Sequence, residues 1–507
     1  MKRVLGLILG MILIIGNIAA CSPEKETEPT VQKSKEPVIR DTNTNRENER
    51  EKERQNEDDI PTLTLVQKDF VPSNPNDMAY IEKINTALLE NGIKAKLELV
   101  ELPRGGYSEK LNLMLQGGNV PDMIWFRDGM DEHYMEEGLL VDLTEYINDS
   151  DVFNQSMEPY HKARIASYPY LLNIRYNTPK IALVRQDWLD ALGLKPPETV
   201  DDYYGVLKAF ANSDFDDNGE KDTYGITATG GTERLDAIFN GAFGMPTTWI
   251  QGDDGQYIYH KVSQNEKEKL AFYRRLREEK ILDPAYITTK WDTMEEKLYT
   301  GKVGMVVGSA GKVVDIYSSK LQHAGADTML IPLNPPKGHG GQGFAPVDVT
   351  KEQKGFAIST VSEHQALAFQ VLEFMASDEG QYLDRLGFEG RDYEKDGHGI
   401  ITRTEKGQEW YARFFDVPSW QSPVPLITDV AQASLDITAR YYIEDKNFDI
   451  PSEHSAKWET MNNLYKEYAY KIIMGDYTMD KFDEFVNRWY EAGGNEITAL
   501  ANKILLK

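Results

Sequence analysis

Apolar and polar positions divide the chain into three stretches of different kind. Val4 to Ala20 is an almost unbroken apolar run, preceded by Lys2 and Arg3. Ser22 to Asp59 is built of Glu, Lys, Arg, Asn, Thr and Pro, with Val31, Val38 and Ile39 as its only sizeable apolar residues. From Ile60 onward the apolar residues recur with regular periods. Thr62-Leu63-Thr64-Leu65-Val66 alternates as a strand does. Met78, Ile81, Ile84 and Leu88 repeat at helical spacing through Asn76 to Asn91, before Gly92 stops them. Lys94 to Glu101 alternates again, Tyr107 to Gln116 is helical up to Gly117-Gly118, and Pro121 to Phe126 reads as a short buried strand. This β-α-β-α-β succession predicts an α/β fold whose sheet is largely parallel and carries helices on its faces. Later segments become helix-rich: Ser362 to Ser377, Glu459 to Met474, and Thr478 to Ala492, the last with Phe482, Phe485, Val486 and Trp489 on one face and Gly493-Gly494 as its end.

The first two stretches change the picture of where the chain resides. A charged start followed by an apolar run is the pattern of a secretory signal peptide over residues 1–20. The run is slightly short against the roughly 20 residues a spanning helix needs, and three glycines and an asparagine interrupt it. Its ending, Ile18-Ala19-Ala20-Cys21, resembles a bacterial lipobox. That resemblance implies a diacylglyceryl thioether on Cys21, cleavage before it, and a chain held at the extracellular face of the cell membrane by its lipid alone. Cys21 is the only cysteine, so an acylated chain has no disulfide, no thiolate metal site and no cysteine nucleophile. Residues 21–59 cannot bury enough surface to offset their ordering entropy and are expected to form a disordered, charged tether. Such a tether reaches on the order of 35 Å. Residues 60–507 have the length and composition of two domains or two large lobes.

Charge narrows the partners. The formal net charge is −26, and the tether supplies little of it, with 12 acidic and 8 basic residues. A strongly acidic globular part argues against nucleic acid and anionic membrane surfaces as partners. Catalytic signatures are missing: there is no His-Glu-x-x-His, no Gly-x-Ser-x-Gly and no phosphate loop, since Gly308-Ser309-Ala310-Gly311-Lys312 lacks the spacing. Gly338-His339-Gly340-Gly341-Gln342-Gly343 follows two prolines and is expected as a surface loop.

Two constellations carry candidate chemistry. In Asp214-Phe215-Asp216-Asp217-Asn218-Gly219-Glu220-Lys221-Asp222, oxygen side chains fall at loop positions 1, 3, 5 and 9, with glycine at 6. Calcium takes 6 to 8 oxygen ligands, and this alternation turns Asp214, Asp216, Asn218, the Glu220 carbonyl and Asp222 toward one point. Position 12 is Gly225 instead of the bidentate glutamate of an EF-hand. Calcium here is expected to be structural. Aromatics form the second constellation. Trp188 and Trp489 lie on apolar helix faces and are expected in the core. Trp125, beside Arg127, and Trp249, Trp291, Trp410 and Trp420 stand in turn-rich, polar contexts, where indoles can stack on the apolar faces of sugars.

Several segments together are similar to the extracellular solute-binding proteins (family 1) of carbohydrate ABC importers, in their long Gram-positive lipoprotein branch. They are Tyr107 to Leu115 running into Gly117-Gly118-Asn119-Val120-Pro121-Asp122; Gly138-Leu139-Leu140-Val141-Asp142-Leu143; Val184-Arg185-Gln186-Asp187-Trp188-Leu189-Asp190-Ala191-Leu192-Gly193-Leu194; Pro197-Glu198-Thr199; Tyr299-Thr300-Gly301-Lys302-Val303-Gly304-Met305; and Leu386-Gly387-Phe388-Glu389-Gly390-Arg391-Asp392-Tyr393. The resemblance implies two interleaved α/β lobes joined by a hinge. It further implies calcium at the Asp-rich loop, with Thr223 where relatives often carry an acid. The expected function is capture of an oligosaccharide, uronic-acid-containing ones included, by a monomer that delivers it to ABC permease subunits without catalysis. A tethered glycan-degrading enzyme and a sensor subunit for a membrane kinase are the alternatives.

Overall fold

The computed structural model describes residues 60–102, 106–127, 129–175, 179–215, 218–345 and 353–506. Cys21, the leader and the tether lie outside the described residues, as does Asp216. Residues 60–507 form one compact unit, in which the described strands are β1 (Thr62–Val66), β2 (Lys96–Leu99), β3 (Met123–Phe126), β4 (Lys180–Arg185), β5 (Tyr224–Ile226), β6 (Trp249–Gln251), β7 (Tyr257–Tyr259), β8 (Val303–Ser309), β9 (Leu330–Pro332), β10 (Gly355–Ile358), β11 (Tyr393–Lys395) and β12 (Ile401–Arg403).

Two four-stranded sheets organise two lobes. The first has the order β10-β3-β1-β2, with β1 parallel to β2 and β3 and with β10 antiparallel at the edge. Its strand β3 is covered on both faces, and the sequence shows why. In β3 Met123 and Trp125 pack into one apolar cluster while Ile124 and Phe126 pack into the other, so all four side chains are buried. Helix Pro75–Glu90, capped by the Asn74 side chain, joins β1 to β2 and buries Tyr80, Ile81, Ile84 and Leu88. Helix Tyr107–Gln116 has the bounds its periodicity predicts. The second sheet has the order β5-β8-β4-β9, with β8 and β9 antiparallel to β4 and β5 parallel to β8.

Core membership shows how one chain serves both lobes. Side chains up to Ile174 pack in the first lobe, those from Ile181 to Phe344 in the second, those from Phe356 to Val417 in the first again, and those from Ala431 onward in the second. The chain therefore passes between lobes three times, and the fold is a two-lobed, interleaved α/β architecture with a hinge at these passages. The helix-rich end belongs to the second lobe, where Ser455–Met474 and Lys481–Trp489 bury Tyr465, Tyr468, Ile472, Phe482, Phe485 and Trp489. Gly493-Gly494 does not end this region. Gly493 takes φ 131°, the backbone kinks, and a helix Asn495–Leu505 continues beyond it.

Glycines fix two close approaches. The Gly338–Gly343 loop lies at the surface but is tied to the chain beneath it: the Gly340 amide donates to the Ala242 carbonyl at 3.0 Å. A Cβ on Gly338 or Gly340 would collide with the backbone of residues 242–244. Near the start of β8, a Cβ on Gly304 would sit 2.4 Å from the rings of Trp188 and Phe210. Phe215 stacks on Trp188 at 3.9 Å, so that indole cannot withdraw. Gly304→Ala is accordingly expected to destabilise the protein by about 1–3 kcal/mol through overpacking. Differential scanning calorimetry should show a melting temperature lower by several degrees; an unchanged transition would mean that the aromatic stack yields freely.

Candidate functional site

The passages between the lobes line a chain of hollows. The first, of ≈ 440 Å³, is bounded by Trp125, Arg127, Gly129, Arg175, Lys180, Gln353 and Lys354. Its residues come from the end of β3, from the first passage, from the start of β4 and from the segment entering β10, so both lobes contribute. Trp125 is held edge-on to Phe356 at 4.7 Å. The Arg175 guanidinium lies 5.2 Å from its ring centroid. Arg175 donates to the carbonyls of Arg413 at 2.9 Å and Phe414 at 3.1 Å. These carbonyls satisfy its N–H groups without neutralising it. Lys180 donates to the Ser309 hydroxyl at 2.8 Å, across β4 and β8.

His161 positions the first passage. Its Nδ1 accepts from the Glu158 amide at 3.0 Å, and its Nε2 lies 3.1 Å from the Arg175 carbonyl, the pairing of a neutral ring with the proton on Nε2. Burial pushes its pKa down to about 4, with the nearby Arg164 charge adding to the shift.

The sequence-selected tryptophans separate into groups. Trp125 and Arg127 line the first hollow. Trp291 stands on the second lobe, with the Arg234 guanidinium 4.3 Å from its ring centroid. Arg234 donates to the Val307 carbonyl and the Thr229 hydroxyl, each at 2.8 Å. Burial holds its pKa below the usual range, and the charge of Arg127 contributes in the same direction. Trp410 is buried, donates to the Asp384 carbonyl at 2.7 Å, and borders a small cavity of ≈ 80 Å³. Trp420 lies under Arg385 and lines a hollow of ≈ 700 Å³. Trp249 lies elsewhere. It is fully buried in the second lobe against Tyr259, Phe448 and Trp458, so its faces are already covered. The turn-rich sequence before it reverses the chain and points the indole inward. The cations Arg175, Lys180, Lys354 and Lys312 carry no local sequence signal; only the fold assembles them.

The Asp-rich loop has the turn expected of it. The Asp214 carboxylate accepts the backbone amides of Asn218 at 3.3 Å and Gly219 at 2.8 Å, and the Asn218 side-chain Oδ1 accepts the Glu220 backbone amide at 2.7 Å. Gly219 takes φ 79°. Asp222 accepts the Lys302 ammonium at 2.6 Å, a partner that the sequence did not suggest and that holds its carboxyl below the usual range. Among the described residues, no three His, Cys, Asp or Glu side chains converge as metal ligands would.

The family model of the bacterial extracellular solute-binding protein matches residues 72–382. The chain belongs to that family. YtcQ of Bacillus subtilis, a polygalacturonan/rhamnogalacturonan-binding protein, is 26% identical over 447 residues, covering 81% of this chain and 85% of that protein. The lipoprotein LipO of the same organism is 24% identical over 493 residues, covering 87% and 92%. Among solved structures, an EF-hand mutant of the Streptococcus pneumoniae ABC-transporter substrate-binding protein FusA, bound to fructo-nystose, superposes with a TM-score of 0.65 at 20% identity, over 87% of this chain and 98% of that one. That likeness concerns the fold.

The buried histidine sets an acid limit on the first passage. Its folded value of about 4 lies below the ~6.5 of an unfolded chain. The unfolded chain therefore binds more protons between those values, and stability is lost as pH falls from about 6.5 toward about 4. His161→Gln should shrink the drop in melting temperature across that window. An equal drop in both proteins would assign the acid sensitivity to other groups.

Proposed function

We propose that this protein is the lipid-anchored receptor of an ABC importer, capturing an oligosaccharide between its lobes and presenting it to the permease. The observation that carries the reading is the first hollow. An indole, three cations of side chains from both lobes, a guanidinium from the passage between them and an amide converge on one space, and bringing the lobes together completes their shell. Indole faces suit the apolar side of a sugar ring, and guanidinium and amide groups suit its hydroxyls. The ligand gains contacts with both lobes only in the closed form, so its binding energy favours closure. A glycosidase would set two carboxylates across the scissile bond; among the described residues, those lining this hollow contribute cations, an amide and an indole. The sugar-binding descriptions of YtcQ and FusA support an oligosaccharide as ligand, and LipO supports a lipoprotein. Cys21 is the residue that would carry the lipid, and the acidic tether would hold the receptor off the membrane.

Calcium fits the Asp-rich loop by the chemistry of its donors. Asp214, Asp216, Asn218, the Glu220 carbonyl and Asp222 would hold the ion, which would supply a structural crosslink between helix Val200–Ala211 and β5. Lys302 competes for Asp222. Chelation is expected to lower the melting temperature by several degrees, and Lys302→Met to raise calcium affinity. A melting curve indifferent to calcium in both proteins would make the loop a lysine-neutralised turn.

Isothermal calorimetry against a panel of neutral and acidic plant and bacterial oligosaccharides tests the receptor reading. Binding of at least one ligand is expected, weakened tenfold or more by Trp125→Ala, with no product released on long incubation. Turnover of a polysaccharide would overturn it.

A further inference from the structure

The smallest hollow is the most unusual electrostatically. It measures ≈ 80 Å³ and is lined by Arg175, Lys312, Arg385 and Arg403, with Asp416 as its one carboxylate among the described lining residues. It shares Arg175 with the first hollow and shares Lys312, Arg385 and Asp416 with the hollow at Trp420. It therefore lies between them. Four cations gathered around so small a space, in a chain of net charge −26, require an account of what balances them.

Carbonyls meet most of their hydrogen bonds. Arg175 donates to Arg413 and Phe414, Arg403 to the carbonyls of Gly407 and Arg385, and Lys312 to Leu426 at 3.2 Å and Gly407 at 3.4 Å. Carbonyl oxygens carry no net charge, so these bonds orient the cations and leave the field intact. Arg385 has Asp416 at 3.4 Å. Asp315 is 4.0 Å from Lys312, and both of its oxygens already accept from Thr428. Asp392 is engaged by Arg391 at 2.7 Å. The Nε of Arg403 is buried without a hydrogen-bond partner. Lys312 opens helix Lys312–His323, whose N-terminal dipole adds further positive potential. Half-buried cations gathered this closely repel one another, and an anion joining them relieves that repulsion.

Resting on the receptor reading, we infer that this central cavity is a carboxylate subsite, holding the acid group of a uronate residue while the hollows on either side take the neighbouring sugars. The cavity has room for a carboxylate, and its guanidinium donors suit a bidentate acceptor. Lys312 adds a proton-linked element. Burial, reinforced by Arg403 and opposed by Asp315, Asp416 and Asp392, pushes its pKa down to about 7. An arriving carboxylate favours the ammonium form and raises that pKa, so acid-sugar binding takes up a proton above pH 7.

The test uses trisaccharides of galacturonate, glucuronate and mannuronate, each beside its methyl ester, with a neutral oligosaccharide panel alongside. Calorimetry at pH 7.5 in buffers of different ionisation enthalpy should show at least one free acid binding tenfold or more tighter than its ester, with proton uptake. Affinity for the acid should fall with rising pH above 7, by up to about tenfold per unit. Lys312→Met should bring the acid-to-ester ratio toward one, whereas Lys312→Arg should keep the preference and lose the proton uptake. Equal binding of acid and ester, or binding of neutral glycans alone, would overturn the subsite and leave the receptor reading standing. Failure of every glycan to bind a protein that melts cooperatively would overturn both.

Discussion

The Arg175 guanidinium ties together the parts on which the cleft depends. It stands in the first passage between lobes, rests against the Trp125 ring, and donates to carbonyls of residues just before the third passage. Its backbone carbonyl is in turn held by His161. One side chain thus joins the wall of the first hollow to the floor of the second. Its hydrogen-bond partners are carbonyls and its face rests on an aromatic ring, so they hold its geometry without forming an ion pair, while the buried Asp384 carboxylate interacts with it through space.

The same economy governs the lobes. Each has its own closed core, so neither needs the other to bury its apolar surface, and the three passages are free to act as a hinge. Strand β3 of the first lobe and β8 of the second are buried along their whole length, which anchors each core. Gly304, packed beneath Trp188 and Phe210, shows how little slack the second core holds. In the proposed receptor, two such cores would let ligand binding move whole lobes instead of making a local adjustment.

Much of this was legible in the order of residues. Alternation at Thr62–Val66 and the helical repeat at Tyr107–Gln116 report burial on one side, and burial is what the structure shows there. The interleaving was not legible from pattern, because nothing in the apolar periodicity marks which core a segment joins; it came from the family resemblance. The cleft was legible in part. Trp125 announces itself by closing a buried strand next to Arg127. Trp249 stands in a similar turn-rich setting, yet it is covered by Phe448 and Trp458, which arrive from the far end of the chain. Lys312 sits in a glycine-rich stretch without a phosphate-loop spacing, and its role depends on Arg175, Arg385 and Arg403, which no local pattern links to it. Similarly, Lys302 reaches Asp222 only because β8 pairs with β5.

Closure of two lobes on a bound glycan is the central claim, and small-angle X-ray scattering tests it most directly. Profiles of the protein alone and saturated with its tightest-binding oligosaccharide should differ, with a smaller radius of gyration and a shorter maximum dimension in the loaded state. Binding at full occupancy with superimposable profiles would contradict the account.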